Sequence, residues 1–110
     1  MPHGVQAKDE DVRLDGVVYP LYLFLERLGS IHPVVFGLPV VVTSGIDSLH
    51  VASSKHKSGH AVDVRIEDKA PEDQPIFLLI CRKLAAQFGL CLFDETNLVA
   101  GPHLHVETQG

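Results

Sequence analysis

Four of the seven histidines of this chain lie in two short stretches, each of which also contains one carboxylate. Residues 54–63 read SKHKSGHAVD, and residues 102–107 read PHLHVE. Imidazole nitrogen and carboxylate oxygen are ligands that bind zinc at neutral pH. A catalytic zinc ion takes three protein ligands and keeps its fourth position open for water. His56, Asp63 and His105 would supply such a set.

Alternating side chains predict the two strands that position these ligands. Residues 103–107 alternate polar and apolar side chains, so a strand would turn both histidines and the glutamate to one face. Residues 61–66 alternate in the same way, which places Asp63 and Arg65 on a common face. With His56 on the loop that leads into this strand, we expect the ligands to converge from two strands and a loop.

The remaining pattern predicts an α+β domain. Apolar residues recur at helical spacing over residues 17–28, with Gly29 as the stop, and over residues 73–88, with Gly89 as the stop. Further strands are predicted at residues 40–43 and 90–93, with loops at 33–38, 44–59 and 94–102. We expect a small, mainly antiparallel sheet that carries the zinc ligands, with two main helices packed on it. Residues 1–13 are predicted to form a flexible arm.

Size and composition set the class of protein. A chain of 110 residues with 45% hydrophobic and 21% charged residues predicts a single globular domain, residues 1–110. A formal charge of −5 argues against nucleic acid or an anionic membrane as partner. No apolar run approaches the ~20 residues that span a bilayer. The start lacks the apolar region of a signal peptide, so ordinary secretion is not expected.

The first histidine-rich stretch resembles a known family signature. The pattern SxHxxGxAxD at residues 54–63 is similar to that of the zinc D-Ala-D-Ala peptidases, which include bacterial carboxypeptidases, phage endolysins and the related Hedgehog signalling domain. A Thr-Ser-Gly lead-in at residues 43–45 is also similar, and the resemblance covers about residues 40–107. Together with the lysostaphin-type peptidases, this group forms a superfamily with a zinc site of His, Asp and a later His.

The resemblance implies roles for individual residues. One zinc ion per chain would bind His56, Asp63 and His105, and His103 would be a nearby acid/base or transition-state group. The closing sequence GPHLHVE also looks like that of the lysostaphin branch. However, six residues separate His56 from Asp63, whereas lysostaphin-like sequences place three between the corresponding ligands. The D-Ala-D-Ala peptidase branch therefore fits better.

The chain departs from the family pattern at the general base. Some relatives carry a glutamate three residues before the last ligand histidine, where this chain has Pro102. Two interpretations follow. Either His103 handles the proton and the oxyanion with help from Asp94 or Glu95, or the chain holds zinc without turnover. Glu107 is expected to be a hydrogen-bond partner of a ligand histidine.

A second departure concerns the substrate-binding arginine. Relatives often follow the Thr-Ser-Gly lead-in with an aromatic residue and an arginine, and this chain has an isoleucine and an aspartate there. Arg65 is the predicted substitute, because its planar guanidinium suits a carboxylate. The alternative is a surface charge paired with Glu67 or Asp94. Ser54 and His50 are predicted to contact substrate, although His50 also fits a solvated loop histidine.

These features predict a zinc-dependent peptidase that acts on the stem peptides of bacterial peptidoglycan. A monomeric, phage-type lysis enzyme released to the cell wall and a cytoplasmic bacterial protein both fit the sequence. The alternative from another class is a zinc-binding module that binds peptidoglycan without cleaving it. A third interpretation is a Hedgehog-like domain with a structural zinc ion.

Overall fold

A computed structural model describes residues 2–45, 59–96 and 102–109 of the protein. These residues form two helices and one five-stranded sheet. The helices are α1 (Tyr19–Phe36) and α2 (Gln74–Gln87). The strands are β1 (Val5–Ala7), β2 (Val40–Ser44), β3 (Ala61–Arg65), β4 (Leu90–Glu95) and β5 (His103–Thr108). Their order in the sheet is β1-β2-β3-β5-β4. Only the β1–β2 pair is parallel, so the predicted α+β architecture is confirmed.

The hydrophobic core lies between the helices and one face of the sheet. Val62 pairs with Val106 and Val64 with Leu104 across the β3–β5 ladder, and all four side chains are fully buried. The helices contribute the apolar stripes Leu21, Phe24, Leu25 and Leu28 from α1 and Phe77, Cys81 and Leu84 from α2. Because strand side chains alternate, the residues between these valines and leucines lie on the other face.

Helix α1 is longer than the sequence pattern predicts. It continues through Gly29 to Phe36, and the N–H of Gly37 donates to the carbonyl of Pro33 at 2.9 Å. The predicted stop at Gly29 and the predicted loop from residue 33 were therefore wrong. A Cβ on Gly29 would lie 2.1 Å from the carbonyl oxygen of His3. This glycine is needed for close packing of the helix on the amino-terminal segment.

The amino-terminal residues contain a strand that the sequence pattern did not predict. Residues 5–7 form β1, in which Val5 pairs with Val40 of β2. Val5 and Val12 are both buried in the core. Part of the predicted arm over residues 1–13 is therefore packed against the domain.

Strand β4 continues further than predicted. The sequence predicted a loop from Asp94, but the strand runs to Glu95 and pairs with β5 along its whole length. Both cysteines are free thiols: Cys81 is buried and Cys91 is half-buried. Burial raises the pKa of the Cys81 thiol above its ordinary value. Neither helix in the described part of the chain combines the length and apolar character that crossing a membrane requires.

Candidate metal centre

The face of the sheet opposite the core carries a cluster of charged and imidazole side chains, here called the metal cluster: Asp63, Glu95, His103, His105 and Glu107. The antiparallel register brings them together. Asp63 of β3 lies directly opposite His105 of β5, and Glu95 of β4 lies directly opposite His103. Directly paired residues point to the same face and have neighbouring Cβ atoms. Three adjacent strands therefore present their polar side chains to one place.

His105 lies between two carboxylates. Its Nδ1 is 2.9 Å from Oδ1 of Asp63, and its Nε2 is 2.9 Å from Oε1 of Glu107. Carboxylate oxygens only accept hydrogen bonds, so the imidazole N–H groups are the donors in both contacts. This arrangement fixes the plane of the ring and confirms the predicted partnership between Glu107 and a histidine of the pair.

The surroundings of His105 raise its pKa. Burial lowers the pKa of this imidazole, but the hydrogen bond and negative charge of Asp63, the hydrogen bond to Glu107 and the charge of Glu95 together outweigh it. The net result is a pKa above the ordinary 6.5 of histidine. The protonated, positively charged form of His105 is therefore favoured.

His103 also lies between two carboxylates. Its Nε2 is 2.9 Å from Oε1 of Glu95 and 3.7 Å from Oδ2 of Asp63. Asp63 thus faces both histidines, with one oxygen toward each of them. Its side chain is 10% exposed, whereas that of Glu95 is 35% exposed, so the cluster is open to solvent on the β4 side.

The geometry of this cluster suits a metal ion. One ligand atom each from Asp63, Glu95 and His105 lie within 4.8 Å of one another, so these three residues could hold a cation. Their donor atoms are two carboxylate oxygens and one imidazole nitrogen, which suit zinc and other divalent metals. The cluster contains three carboxylates against two imidazoles, and a dication would balance this excess of negative charge.

Among the residues predicted from the sequence, Asp63, His103 and His105 come together in the metal cluster. Arg65 lies on the same face of β3, directly opposite His103. Its Nε is 4.0 Å from Oε1 of Glu67, which corresponds to the predicted surface pairing. His56, His50 and Ser54 lie outside the described residues.

The sequence did not identify Glu95 as a member of the ligand group. It was considered only as a loop residue that assists His103. The available signal was the alternation of Cys91, Phe93 and Glu95, which continues the strand by one more polar residue on the same face. Phe93 is half-exposed, and its ring centroid is 5.9 Å from that of His105. One aromatic ring therefore borders the cluster.

Gly59 lies two residues before β3 and packs closely against the amino-terminal half of the chain. This glycine has a φ of +79°, and a Cβ there would lie 2.0 Å from the carbonyl oxygen of Gly16. Its own carbonyl accepts the N–H of Val18 at 2.9 Å. Only glycine combines this backbone conformation with so close an approach. The glycine of the SxHxxGxAxD pattern thus fixes where the chain enters β3.

Comparison with known proteins adds no further identification: neither a protein-family model nor a curated protein sequence matches the chain.

Proposed function

We propose that this chain is a zinc-dependent peptidase that hydrolyses peptide bonds in bacterial cell-wall peptidoglycan. The observation that carries the proposal is the pairing of Asp63 with His105 in the β3–β5 register. Two sequence motifs 42 positions apart meet there, with their ligand atoms 2.9 Å apart. His56, from the segment that ends at Gly59, would be the third ligand of one zinc ion.

Each remaining residue of the cluster has a place in this chemistry. A zinc ion at such a site polarises a carbonyl group and lowers the pKa of water. Glu107 accepts the Nε2 proton of His105 and so keeps Nδ1 directed at Asp63. His103, with Nε2 3.7 Å from Asp63, would transfer protons and donate a hydrogen bond to the developing oxyanion.

The proposed substrate is a peptidoglycan stem peptide, whose D-alanine residues end in free carboxylates. Arg65 would bind such a carboxylate through its guanidinium group, because it lies on the cluster face directly opposite His103. Ser54 and His50 would contact the peptide from the segment that carries His56. All proposed ligands belong to one chain, so a monomer suffices.

A specific observation favours a second candidate, a zinc-binding module without turnover. The family's glutamate is replaced by Pro102, and Glu95 lies within ligand range of Asp63 and His105. If Glu95 and His56 both bound the ion, four protein ligands would close the site, as in structural zinc sites. Such a module would bind peptidoglycan without cleaving it, or hold zinc structurally as in a Hedgehog-like domain.

Hydrolysis and zinc content, measured together, test the proposal. Purified chain would be loaded with zinc and incubated with peptidoglycan and with synthetic stem peptides, and the products identified by mass spectrometry. We expect cleavage by the unmodified protein and loss of cleavage in His103→Ala with zinc still bound. Asp63→Ala should lose zinc and cleavage together.

Glu26→Gln is the control, because Glu26 is an exposed carboxylate of α1 that lies outside the cluster. It should keep both zinc and activity. A protein that binds zinc and peptidoglycan but leaves every peptide intact would establish the module instead. A protein that takes up no zinc from solution would end both candidates.

A further inference from the structure

The family position for a catalytic acid is filled here by Pro102, but a carboxylate reaches the same cluster from another strand. Glu95 ends β4, directly opposite His103 of β5. Its Oε1 is 2.9 Å from Nε2 of His103, within hydrogen-bond distance. The same side chain is also within ligand range of Asp63 and His105. Glu95 thus has two competing partners, an imidazole and a metal ion.

We propose that Glu95 is a positioning residue: it holds the imidazole of His103 beside the metal position and does not bind the ion itself. This inference rests on the proposed function, because it concerns the residue that would move the proton in that reaction. Glu95 would therefore act through His103 and would not itself be the general base.

The hydrogen bond between Glu95 and His103 favours this imidazole, and not a metal ion, as the partner of Glu95. Nε2 of His103 is 2.9 Å from Oε1 of Glu95 but 3.7 Å from Oδ2 of Asp63, so of these two carboxylates only Glu95 is within hydrogen-bond distance. Asp63 is also a proposed ligand, so a cation would draw its negative charge away from His103. Moving Glu95 onto the ion would break a hydrogen bond between a carboxylate and a partly buried imidazole, which is costly.

Exposure favours the same conclusion. The side chain of Glu95 is 35% exposed, whereas those of His103 and Asp63 are 16% and 10% exposed. Glu95 therefore lies at the solvent edge of the cluster, outside the Asp63–His105 pair. A carboxylate in this place can accept a hydrogen bond from His103 while one side of the metal position stays open. An open position is what a catalytic zinc site requires.

Nitrogen-15 NMR of the zinc-loaded protein tests this assignment directly. The ring-nitrogen shifts of His103 report which nitrogen carries the proton and whether it is hydrogen-bonded. Glu95→Gln should change the shifts of His103 and leave those of His105 unchanged. Zinc affinity, measured by chelator competition, should stay within about threefold of the unmodified protein. The matched variant Glu107→Gln should instead change the shifts of His105.

Steady-state kinetics provide a second test of the role of Glu95. If stem peptide is cleaved, Glu95→Gln should lower kcat by about 10–100-fold, the usual cost of removing an outer hydrogen-bond partner, with little change in KM. Glu26→Gln, at an exposed position of α1 away from the cluster, should change neither kcat nor zinc affinity.

Two outcomes overturn the proposal. Zinc binding weakened more than about thirtyfold in Glu95→Gln, with the His103 shifts unchanged, would make Glu95 a ligand. A rapidly exchanging His103 ring proton in the unmodified, zinc-loaded protein would show that no carboxylate holds it, and this measurement needs no variant to fold. If the expected shifts and affinity are found but no peptide is cleaved, the peptidase function fails while the positioning role of Glu95 stands.

Discussion

Two clusters of buried ionisable groups differ in what they can do. The metal cluster lies on the open face of the sheet and has three carboxylates for two imidazoles. The other, here called the helix-side cluster, consists of His32, Asp68 and Lys69 and lies against Phe36 of α1 and Phe77 of α2. Both clusters contain a histidine and a carboxylate. Only the first has an excess of negative charge and an opening to solvent, so only the first suits a cation.

The helix-side cluster already contains its own cation. Nζ of Lys69 donates to Oδ1 of Asp68 at 2.7 Å and to the carbonyl of Arg65 at 3.0 Å. It also lies 3.9 Å from the ring centroid of Phe77, a cation–π distance. Burial lowers the pKa of Lys69, although the hydrogen bond and charge of Asp68 oppose the shift. The ammonium group therefore already balances the negative charge of Asp68.

The pKa values of the two buried histidines, His32 and His105, therefore shift in opposite directions. Burial lowers the pKa of His32. The hydrogen bond to the Leu38 carbonyl opposes this shift, the charge of Lys69 lowers the pKa further and that of Asp68 raises it, and the pKa remains below the ordinary value. Burial also lowers the pKa of His105, but the carboxylates around His105 raise its pKa by more, so that the net shift is upward. What distinguishes a candidate ligand from a packing histidine here is the charge of its neighbours, since both imidazoles are largely buried.

The largest effect is expected from removing the shared carboxylate of the metal cluster. Asp63→Ala should weaken zinc binding by at least about 1,000-fold, or about 4 kcal/mol, because losing a direct ligand should exceed the 10–100-fold cost of losing an outer partner. Chelator competition measures the affinity. Asp68→Asn, in the helix-side cluster, is the control and should not change it. Equal affinities for Asp63→Ala and the unmodified protein would remove the metal assignment.

The next effect tests the helix-side cluster. Lys69→Met keeps the aliphatic stem on Phe77 but leaves Asp68 without its cation, so the free energy of unfolding should fall by about 3 kcal/mol. Urea denaturation of the metal-free protein measures it. Lys83→Met, at an exposed position of α2, should cost far less. Zinc affinity should be unchanged in both variants, and a loss of zinc in Lys69→Met would mean that the two clusters are coupled.

Much of the metal cluster could be predicted because strands have a period of two. The alternation in residues 61–66 and 103–107 fixed which side chains share a face, and this was enough to bring Asp63, His103 and His105 together. The helix-side cluster has no such periodicity. Lys69 follows β3 in a turn, and His32 lies within a helix, so nothing in the sequence distinguished them from surface residues.

The errors in the fold have tertiary causes. Gly29 has the composition of a helix stop, but its absent side chain serves a close approach to His3 from a distant part of the chain. Asp94 and Glu95 look like loop residues because two adjacent charges are unusual within a strand. Position at the edge of the sheet allows Asp94 to remain exposed there. Neither fact can be obtained from local sequence.

A smaller effect should separate the partners of His105 from its ligands. Glu107→Gln removes the charge that orients the ring through Nε2 but keeps a hydrogen-bond acceptor. Zinc affinity should fall by about 10–100-fold, less than in Asp63→Ala. Glu67→Gln, at a 55%-exposed position beside Arg65, should leave affinity unchanged. A loss as large as that of Asp63→Ala would make Glu107 a ligand and not a partner.

The smallest effect is the pH dependence that His32 gives to folding. Its Nδ1–H donates to the carbonyl of Leu38 at 2.6 Å, and its buried Nε2 has no hydrogen-bond partner among the described residues. Protonating Nε2 would add a second positive charge near Lys69, with no acceptor for the new N–H. The folded pKa is therefore below the unfolded value of 6.5.

Linkage sets the sign of this dependence. The contribution of His32 to stability is fully present above pH 6.5 and is lost as the pH falls from there through the folded pKa, since the unfolded chain binds the proton first. In His32→Asn the amide can donate to Leu38 in place of Nδ1, but it does not titrate. The stability advantage of the unmodified protein over this variant should therefore narrow below pH 6.5, as measured by urea denaturation at several pH values. Because the metal cluster is the same in both proteins, its titration cancels in the difference. If the difference in the free energy of unfolding between the two proteins did not change with pH, the imidazole of His32 would have the same pKa in the folded as in the unfolded chain. The contrast between the pKa shifts of the two buried histidines would then be wrong.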